Sequence, residues 1–528
     1  MKTQPAGPFL GLNNRLPDYA LEAENGRWLR EAVNVDIDNA GRVRRRDGVA
    51  TLQAMTGAHS VYALSATTGL FVRASTLYSF VTSPTYAETL IAVLASNAAM
   101  SYCEHNGSVY YGNKTDSGRI VSGVRYPWAL PTPAAPTVAT TTGTLAIGAY
   151  QVAVRYINTA TGEAGGLSAS SVRELSAAGG VRVTLPASTT GATHVQVFVS
   201  QLNGSEVYLY STVAVGTATV DIASVASTTT TGEQGYFEPM PSCDNLFVHM
   251  GKLCGASGKR LYYGASYRLG YYAPTDGYID FEDTIAVAVP NQFGVYVVTE
   301  KRTYWLPGDL KKTESLREPL PYGGVAGSAF AHPYRPLVGW FSAKGFVLGD
   351  EQGAVTALSA SAVDVTPSGA GCTGVFTSRG YSRAVSSGYC INLDNSAVTT
   401  YADFAFTSMS GAFGTKDDGL YWMTGAQKVD ARIRLGRTDF GAENLKALPA
   451  CYIGAASGEP MELVVVTADE DEYVYEARSS SSSVEIHRID TGKGLRENWY
   501  DLSLRNVDGS DFILASVSFA PVASGRRI

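Results

Sequence analysis

An apolar period of 3.6 residues persists almost nowhere along the 528 residues of this chain, so amphipathic helices cannot supply its core. The best helical candidate is the short segment "DYALEAEN" at 18–25, which Gly26 ends. Short runs that alternate or carry clustered aromatics recur instead. They include "GLFVRASTLYSF" (69–80), "GSVYYGN" (107–113), "DNLFVHMGKLCGASGKRLYYGAS" (244–266) and "FGVYVVTEKRTYWLPG" (293–308). "LVGWFSAKGFVLGDEQGAVTALS" (337–359), "DGLYWMTGA" (418–426) and "MELVVVTADEDEYVYEA" (461–477) continue the series. Many repeat one device: a strand, a small polar turn, and a returning strand that ends in Tyr or Trp. Four-stranded units of about 40 to 50 residues repeated around an axis are propeller blades. The spacing is loose and has no WD or kelch signature, so the expected fold is all-β, an irregular β-propeller.

One segment differs. From "PWALPTPAAPTVATTT" (127–142) to "TTTTGEQGYFEPMP" (228–241) charge nearly vanishes and Thr, Ala, Val and Gly dominate. Between these Pro-marked borders lie clean strands at 149–158, 181–186, 193–200, 206–213 and 218–222. Asn203-Gly204 is a hairpin signal, because a type I′ turn needs positive φ at both central residues. Short antiparallel strands with turns every ten residues or so predict an inserted Ig-like or fibronectin III-like β-sandwich, with Tyr150 opening a core strand and no buried Trp. The expected division is 1–130 (N-terminal hairpin and first part of the propeller), 131–238 (sandwich) and 239–528 (rest of the propeller and a C-terminal strand that closes it).

Composition narrows the function. The 41 basic and 48 acidic side chains give a net charge of −7, which argues against a general polyanion-binding surface and leaves room for a local one. The six cysteines are scattered without a CxxC pair; His249 with Cys243 and Cys254 comes nearest to a cluster and reads as buried thiols beside a strand histidine. Free thiols suit folding in a reducing cytoplasm, and no apolar run has the length of a signal or membrane-spanning segment. No GxSxG, HExxH or P-loop occurs. The acidic runs "DFED" (280–283), "KDD" (416–418) and "DEDE" (469–472) read as solvated hairpin tips, "YGGVAG" (322–327) as a loop and "RSSSSSVEIHR" (478–488) as a hairpin or gate loop. No catalytic residue, cofactor site or metal site is expected, although a propeller glycosidase with paired carboxylates in a central pocket is an alternative.

The stretch "AVNVDIDNAGRVRRRDG" (32–48) places Arg42, Arg44, Arg45 and Arg46 directly after an alternating run. A three-residue loop Asn39-Ala40-Gly41, with Gly41 as the left-handed residue of a G1 bulge, pairs positions whose numbers sum to 80. Asp38 then faces Arg42, Asp36 faces Arg44 and Asn34 faces Arg46, while a two-residue loop would scramble the two faces. The arginines are expected mainly as cross-strand partners of the acids, each pair contributing about 0.2 to 1 kcal/mol. Arg45 and Arg46 have no carboxylate opposite and are the candidates for a contact to another subunit or to DNA phosphate.

The same segment resembles the start of the tail nozzle proteins of short-tailed bacteriophages, also called packaged-DNA stabilisation or tail-closure proteins. Gly11, Asn13, Asn14, Asn34, Val35, Asp36, Ile37, Asp38, Gly41, Arg46 and Gly48 carry the match, which covers about 50 residues. The resemblance implies a structural virion protein, made in the host cytoplasm and placed in the tail. It implies a homo-oligomeric ring, six copies being typical, that extends the portal and adaptor channel. Such a ring retains packaged double-stranded DNA without sequence specificity, lets it pass on ejection and contacts tail fibre or tail tip proteins, with no membrane insertion. An acidic chain suits such a conduit, because each neutralised phosphate would add sticking. The alternative within phage tails is a baseplate or receptor-binding protein that uses the Ig-like domain for host attachment.

Overall fold

A computed structural model describes residues 4–226, 230–232, 237–266, 268–366, 373–441, 444–492 and 494–524. Among them there is no α-helix, only two 3₁₀ turns, Asp18–Ala20 and Thr313–Ser315. The chain is an all-β protein of many mostly antiparallel sheets, of the irregular propeller class, with parallel pairing at Phe9–Leu12 on Gly26–Leu29 and at Glu31–Val33 on Val398–Thr400. It divides into two compact units: Met1–Val93 with Asn291–Pro307 and Leu316–Ile528, and Leu94–Pro290 with Gly308–Ser315. The borders expected at 131 and 238 fall inside the second unit.

In the first unit the blade device is literal. Ala58–Ala63, Thr68–Arg73, Thr76–Val81 and Ala87–Val93 run up and down as one four-stranded sheet, and Phe330–Ala331, Val338–Ser342, Gly345–Gly349 and Val355–Ala357 as another. A third has only three consecutive strands, Ser408–Ser410, Phe413–Lys416 and Gly419–Gly425; its fourth is the distant Gly48–Ala54. Gly374–Ser378, Tyr381–Ser386, Tyr389–Asn392 and Val398–Thr400 form a fourth set, which Glu31–Val33 joins to Arg432–Thr438, Tyr500–Arg505, Glu462–Val466 and Glu472–Glu476 in a nine-stranded sheet. The main core gathers Val35, Ile37, Val43, Phe341, Phe346, Ile391, Ile433, Leu463, Leu502 and Leu514, residues far apart in sequence.

The expected helix at 18–25 is not formed. One 3₁₀ turn follows Pro17, then Glu22–Ala23 pairs with Gly26–Arg27, while Leu21 is fully buried. Eight residues are too few to hold an isolated helix. Meanwhile Asp18 is engaged by Arg30 and by the backbone N–H of Arg437, which fixes the segment as a turn.

The second unit holds two blade-like sheets: Ser101–His105, Ser108–Gly112, Ser117–Val121 and Val124–Tyr126, and Asp244–His249, Lys252–Ser257, Arg260–Tyr263 and Tyr278–Asp280. It also holds a three-stranded sheet (Thr137–Leu145, Gly179–Thr184, Thr219–Ile222) and a five-stranded one centred on Gly148–Asn158. Val181, Val183 and Ile222 of the former share one core with Tyr150, Val152, Val154, Val195 and Val197 of the latter, so these strands make a two-sheet sandwich. The type I′ turn at Asn203-Gly204 is absent: six residues separate His194–Ser200 from Val207–Ala214, and of the two only Asn203 has positive φ (52°). Asn203 instead exchanges hydrogen bonds with Ala149, its N–H donating to the Ala149 carbonyl and its Oδ1 accepting from the Ala149 N–H (both 2.9 Å), and this tether sets the loop.

Candidate functional site

The N-terminal segment is built into the sheets of the C-terminal half. Its hairpin has the register read from the sequence, with Val35 opposite Arg45, Asp36 opposite Arg44 and Ile37 opposite Val43. Gly41 supplies the left-handed turn residue at φ 71°, and a Cβ there would lie 2.4 Å from the Pro8 side chain. Asp38 caps the turn, its carboxylate accepting from the N–H groups of Ala40 and Arg42 and from Arg42 Nε at 2.8 Å. Asn13 closes an Asx turn onto the N–H groups of Arg15 and Leu16. Asn14 exchanges two hydrogen bonds with the backbone of Asp364. Gly11 runs so close to Val398 that a Cβ would meet its backbone N at 3.0 Å.

The expected Asp36–Arg44 ion pair is replaced. Asp36 is 2% exposed, and its carboxylate pairs with Arg383 at 3.2 Å and accepts from the Tyr401 hydroxyl. A buried carboxylate needs a partner at its own depth; Arg383 is buried, whereas Arg44 lies half-exposed. Burial pushes the Tyr401 hydroxyl well above the ordinary phenol range, and Asp36 adds to the shift, so this hydroxyl acts as a fixed donor.

Arg45 and Arg46, expected at an external contact, are 7% and 5% exposed in the isolated chain. Arg45 donates to the Gln427 carbonyl at 2.9 Å and pairs with Asp511 at 3.4 Å. Arg46 donates through Nε to Asn34 Oδ1 (2.9 Å), through Nη1 to the Asp47 carbonyl (3.1 Å) and through Nη2 to the Ala402 carbonyl (3.3 Å). Its guanidinium lies 5.0 Å from the Phe404 ring centre and 5.4 Å from that of Tyr401. Among the described residues it forms no ion pair with a carboxylate. It lines a polar pocket of about 180 Å³ with Asn34, Asp403, Lys416, Lys428 and Asp430. Lys416 is the part that sequence reading missed: it ends the strand Phe413–Lys416, and its ammonium sits 4.8 Å from the Phe406 ring centre with only the Asp403 carbonyl (3.4 Å) as acceptor. Burial holds its pKa below the ordinary lysine value, opposed by the attraction of Asp418 and, more weakly, Asp403, and helped by the positive charge of Arg46.

A second concavity, about 350 Å³, lies on the nine-stranded sheet. Arg434 reaches Asp501 at 3.0 Å and Glu31 at 3.0 Å, and Arg505 reaches Glu462 at 2.6 Å. Arg432 and Arg505 stand directly opposite in register, a like-charged pair that Glu31 and Glu462 relieve. Arg437 covers Trp499 at 4.3 Å. Glu31, Asp501 and Glu462 are linked to arginines in a cross-strand lattice, and Glu470 and Glu472 also line the concavity.

The remaining sequence candidates lie apart. His249 bonds the Gly308 carbonyl (2.9 Å), and Cys243 and Cys254 are buried with backbone carbonyl partners. Among the described residues no three His, Cys, Asp or Glu side chains gather as a metal set; Cys372 lies outside the described residues. Asp417 and Asp418 form a two-residue hairpin tip, and "DEDE" leads from the connection after Glu462–Val466 into the paired strand that Glu472 opens, Glu472–Glu476. The serine run leads from the bridge Ala477–Ile489 into Glu485–Asp490, so it is a hairpin connection. Among the described residues no helix is long and apolar enough to cross a membrane.

The chain matches no protein-family model and no curated protein. Among solved structures it is similar to the WD40 β-propeller domain of Doa1, with 8% identity, TM-score 0.26, and coverage of 64% of this chain and 94% of that one. It is also similar to an exo-β-1,3-galactanase from Phanerochaete chrysosporium, with 9% identity, TM-score 0.20, and coverage of 90% of this chain and 100% of that one. At such scores the class rests on the sheets themselves, which are those of an all-β, propeller-type protein.

Proposed function

We propose that this protein is a structural subunit of a bacteriophage tail nozzle, a non-enzymatic ring component that extends the portal and adaptor channel, retains packaged DNA and lets it pass. The observation that carries the reading is the N-terminal segment. Among the residue types shared with the nozzle family, Gly11, Asn14, Asp36, Arg46 and Gly48 meet the C-terminal part of the chain, while Asn13, Asp38 and Gly41 shape the turns of the segment. A wall under the pressure of packaged DNA needs such closure, because an open sheet edge is where a β-protein frays or pairs wrongly. The sandwich around Gly148–Asn158 is, on this reading, an Ig-like insertion for a neighbour or tail component. A closed ring of copies uses heterologous contacts related by rotation. Net charge of −7 per chain, multiplied around the ring, repels the DNA that must slide through it.

Native mass spectrometry and electron microscopy of the purified protein, alone and with portal and adaptor, test this. A hexameric ring coaxial with the portal is the expected result. A trimer on a baseplate would favour host attachment instead, and a monomer that hydrolyses a surface glycan would overturn the proposal.

A further inference from the structure

We propose that the pocket bounded by Arg46, Lys416 and Lys428 is an oxyanion site that takes one phosphate-type group. This inference needs only the described chain and stands whether or not the protein is a tail component. Three cations line a small cavity, and among the described residues neither Arg46 nor Lys416 has a carboxylate at ion-pair distance, Asp418 and Asp403 attracting Lys416 only from further off. Guanidinium has five N–H donors in a fixed fork, and three of those of Arg46 are engaged. The two left over, one on each Nη nitrogen, match the bidentate demand of a phosphate or carboxylate oxygen pair. Lys416 offers further donors and, among the described residues, makes one long hydrogen bond beside its contacts with the Phe406 and Tyr421 rings.

Arg46 is held rigidly for that task. Asn34 fixes its Nε, two carbonyls fix its Nη atoms, and the Tyr401 and Phe404 rings back its plane. Asn34 is itself fixed, at φ 55°, by its N–H to the Thr400 carbonyl (2.7 Å) and its Nδ2 to the Asp430 carbonyl (2.8 Å). Arg46 is buried and Lys416 half-buried; neighbouring like charges repel, and an anion between them removes that cost. The acids at the rim, Asp403 and Asp430, are exposed, and among the described residues neither makes an ion pair with Arg46 or Lys416. They lower the pocket's net positive charge without filling it. The ligand's phosphate can be free or part of a nucleic-acid backbone.

The test is isothermal titration of the full chain with inorganic phosphate at constant ionic strength, with chloride as the reference salt, together with melting temperature. Saturable binding of one phosphate per chain and a melting temperature raised above the chloride control are expected. K416M, which keeps the alkyl packing on Phe406, should weaken binding at least tenfold. D403N should tighten it several-fold, a gain that misfolding cannot mimic. Displacement of phosphate by a short DNA duplex would identify a backbone phosphate as the ligand, and its failure a free one; either supports the site. No phosphate effect beyond that of chloride, or equal affinity in all three proteins, would overturn the proposal.

Discussion

Asp36 and Arg383, separated by 347 positions in the sequence, form an ion pair at 3.2 Å in which each side chain is only 3% exposed. The pair links the N-terminal hairpin to the strand Tyr381–Ser386 in the first unit. Removing one partner strands a buried charge, so Asp36→Ala or Arg383→Ala should each cost about 3 to 5 kcal/mol. Replacing both, as Asp36→Asn with Arg383→Met, should cost less than the sum of the singles. Urea denaturation midpoints of the four proteins measure the coupling; additive losses would show that the two residues act independently.

Gly41 and Gly57 have nearly the same backbone, φ 71° and 70°, in different surroundings. A Cβ at Gly57 meets nothing within 4 Å, whereas at Gly41 it lies 2.4 Å from Pro8 Cβ and 2.9 Å from Phe9 N. Gly57→Ala should therefore show only the left-handed penalty of about 1 to 2 kcal/mol. Gly41→Ala should lose clearly more, because Pro8 and Phe9 are backbone-anchored and cannot yield. Thermal unfolding of the two variants gives the difference.

Local geometry was the legible part of this protein. Side-chain parity alone set the hairpin register at 35–45, and strand borders in the sandwich fall within a residue or two of expectation, because alternation has period 2 and a slip would expose the core. Long-range partners were not legible. Nothing near Asp36 in sequence points to Arg383, and nothing near Arg46 points to Lys416, since propensity and pattern carry no information about which distant strand arrives on a given face. Arg45 and Arg46 were singled out for lacking an opposite carboxylate. That was a fact about one hairpin, and the structure supplies Gln427, Asp511 and Ala402 from elsewhere. At Asn203-Gly204 a strong local signal lost to the tertiary tether on Ala149.

Thiol reactivity follows from burial. Desolvation pushes Cys103, Cys243 and Cys390 up to about 12 and Cys254 and Cys451 higher still. Only the thiolate reacts. In native buffer at pH 8 these five should resist an aromatic disulfide reagent for hours and react within minutes in denaturant. Rapid native labelling of any of them, located by peptide mass, would contradict their placement.

Acid should weaken the fold in two stages. Burial holds the His249 pKa below its ordinary 6.5, partly countered by the Gly308 carbonyl, so the fold favours the neutral ring. A depressed histidine contributes stability above pH about 6.5 and loses it as pH falls through the lower folded value. Asp309, whose hydrogen bond from Lys252 holds it below its ordinary 3.8, contributes above that value and loses it on further acidification. The unfolding midpoint should thus start to decline below pH 6.5, and His249→Gln should lessen that first stage, to which His332, also held below 6.5 by burial, contributes the remainder, while leaving the second. An unchanged profile in the variant would exclude His249 as the source.

The largest effect should come from the strands that join the two ends of the chain. Gly48–Ala54 is the fourth strand on Gly419–Gly425, Glu31–Val33 lies between Val398–Thr400 and Arg432–Arg434, and Val43–Arg45 pairs with the strand Phe512–Phe519. Deleting residues 1–54 would open five ladders at once, that of Gln4–Ala6 on Phe512–Phe519 included, and uncover Phe404, Ile433 and Leu514, which now share cores with Val49, Ala32 and Val43. Unpaired ladder edges beside exposed apolar rows template association. The truncated chain should elute as large aggregates, whereas a chain from residue 4 onward should behave like the full protein apart from fraying at Gln4–Ala6. Val49→Asp places a charge at a site that is 7% exposed and should reproduce part of the defect without removing a strand. A truncation that stays dispersed and unfolds cooperatively at the parental midpoint would mean that the first strands are appended to a finished body and do not close it.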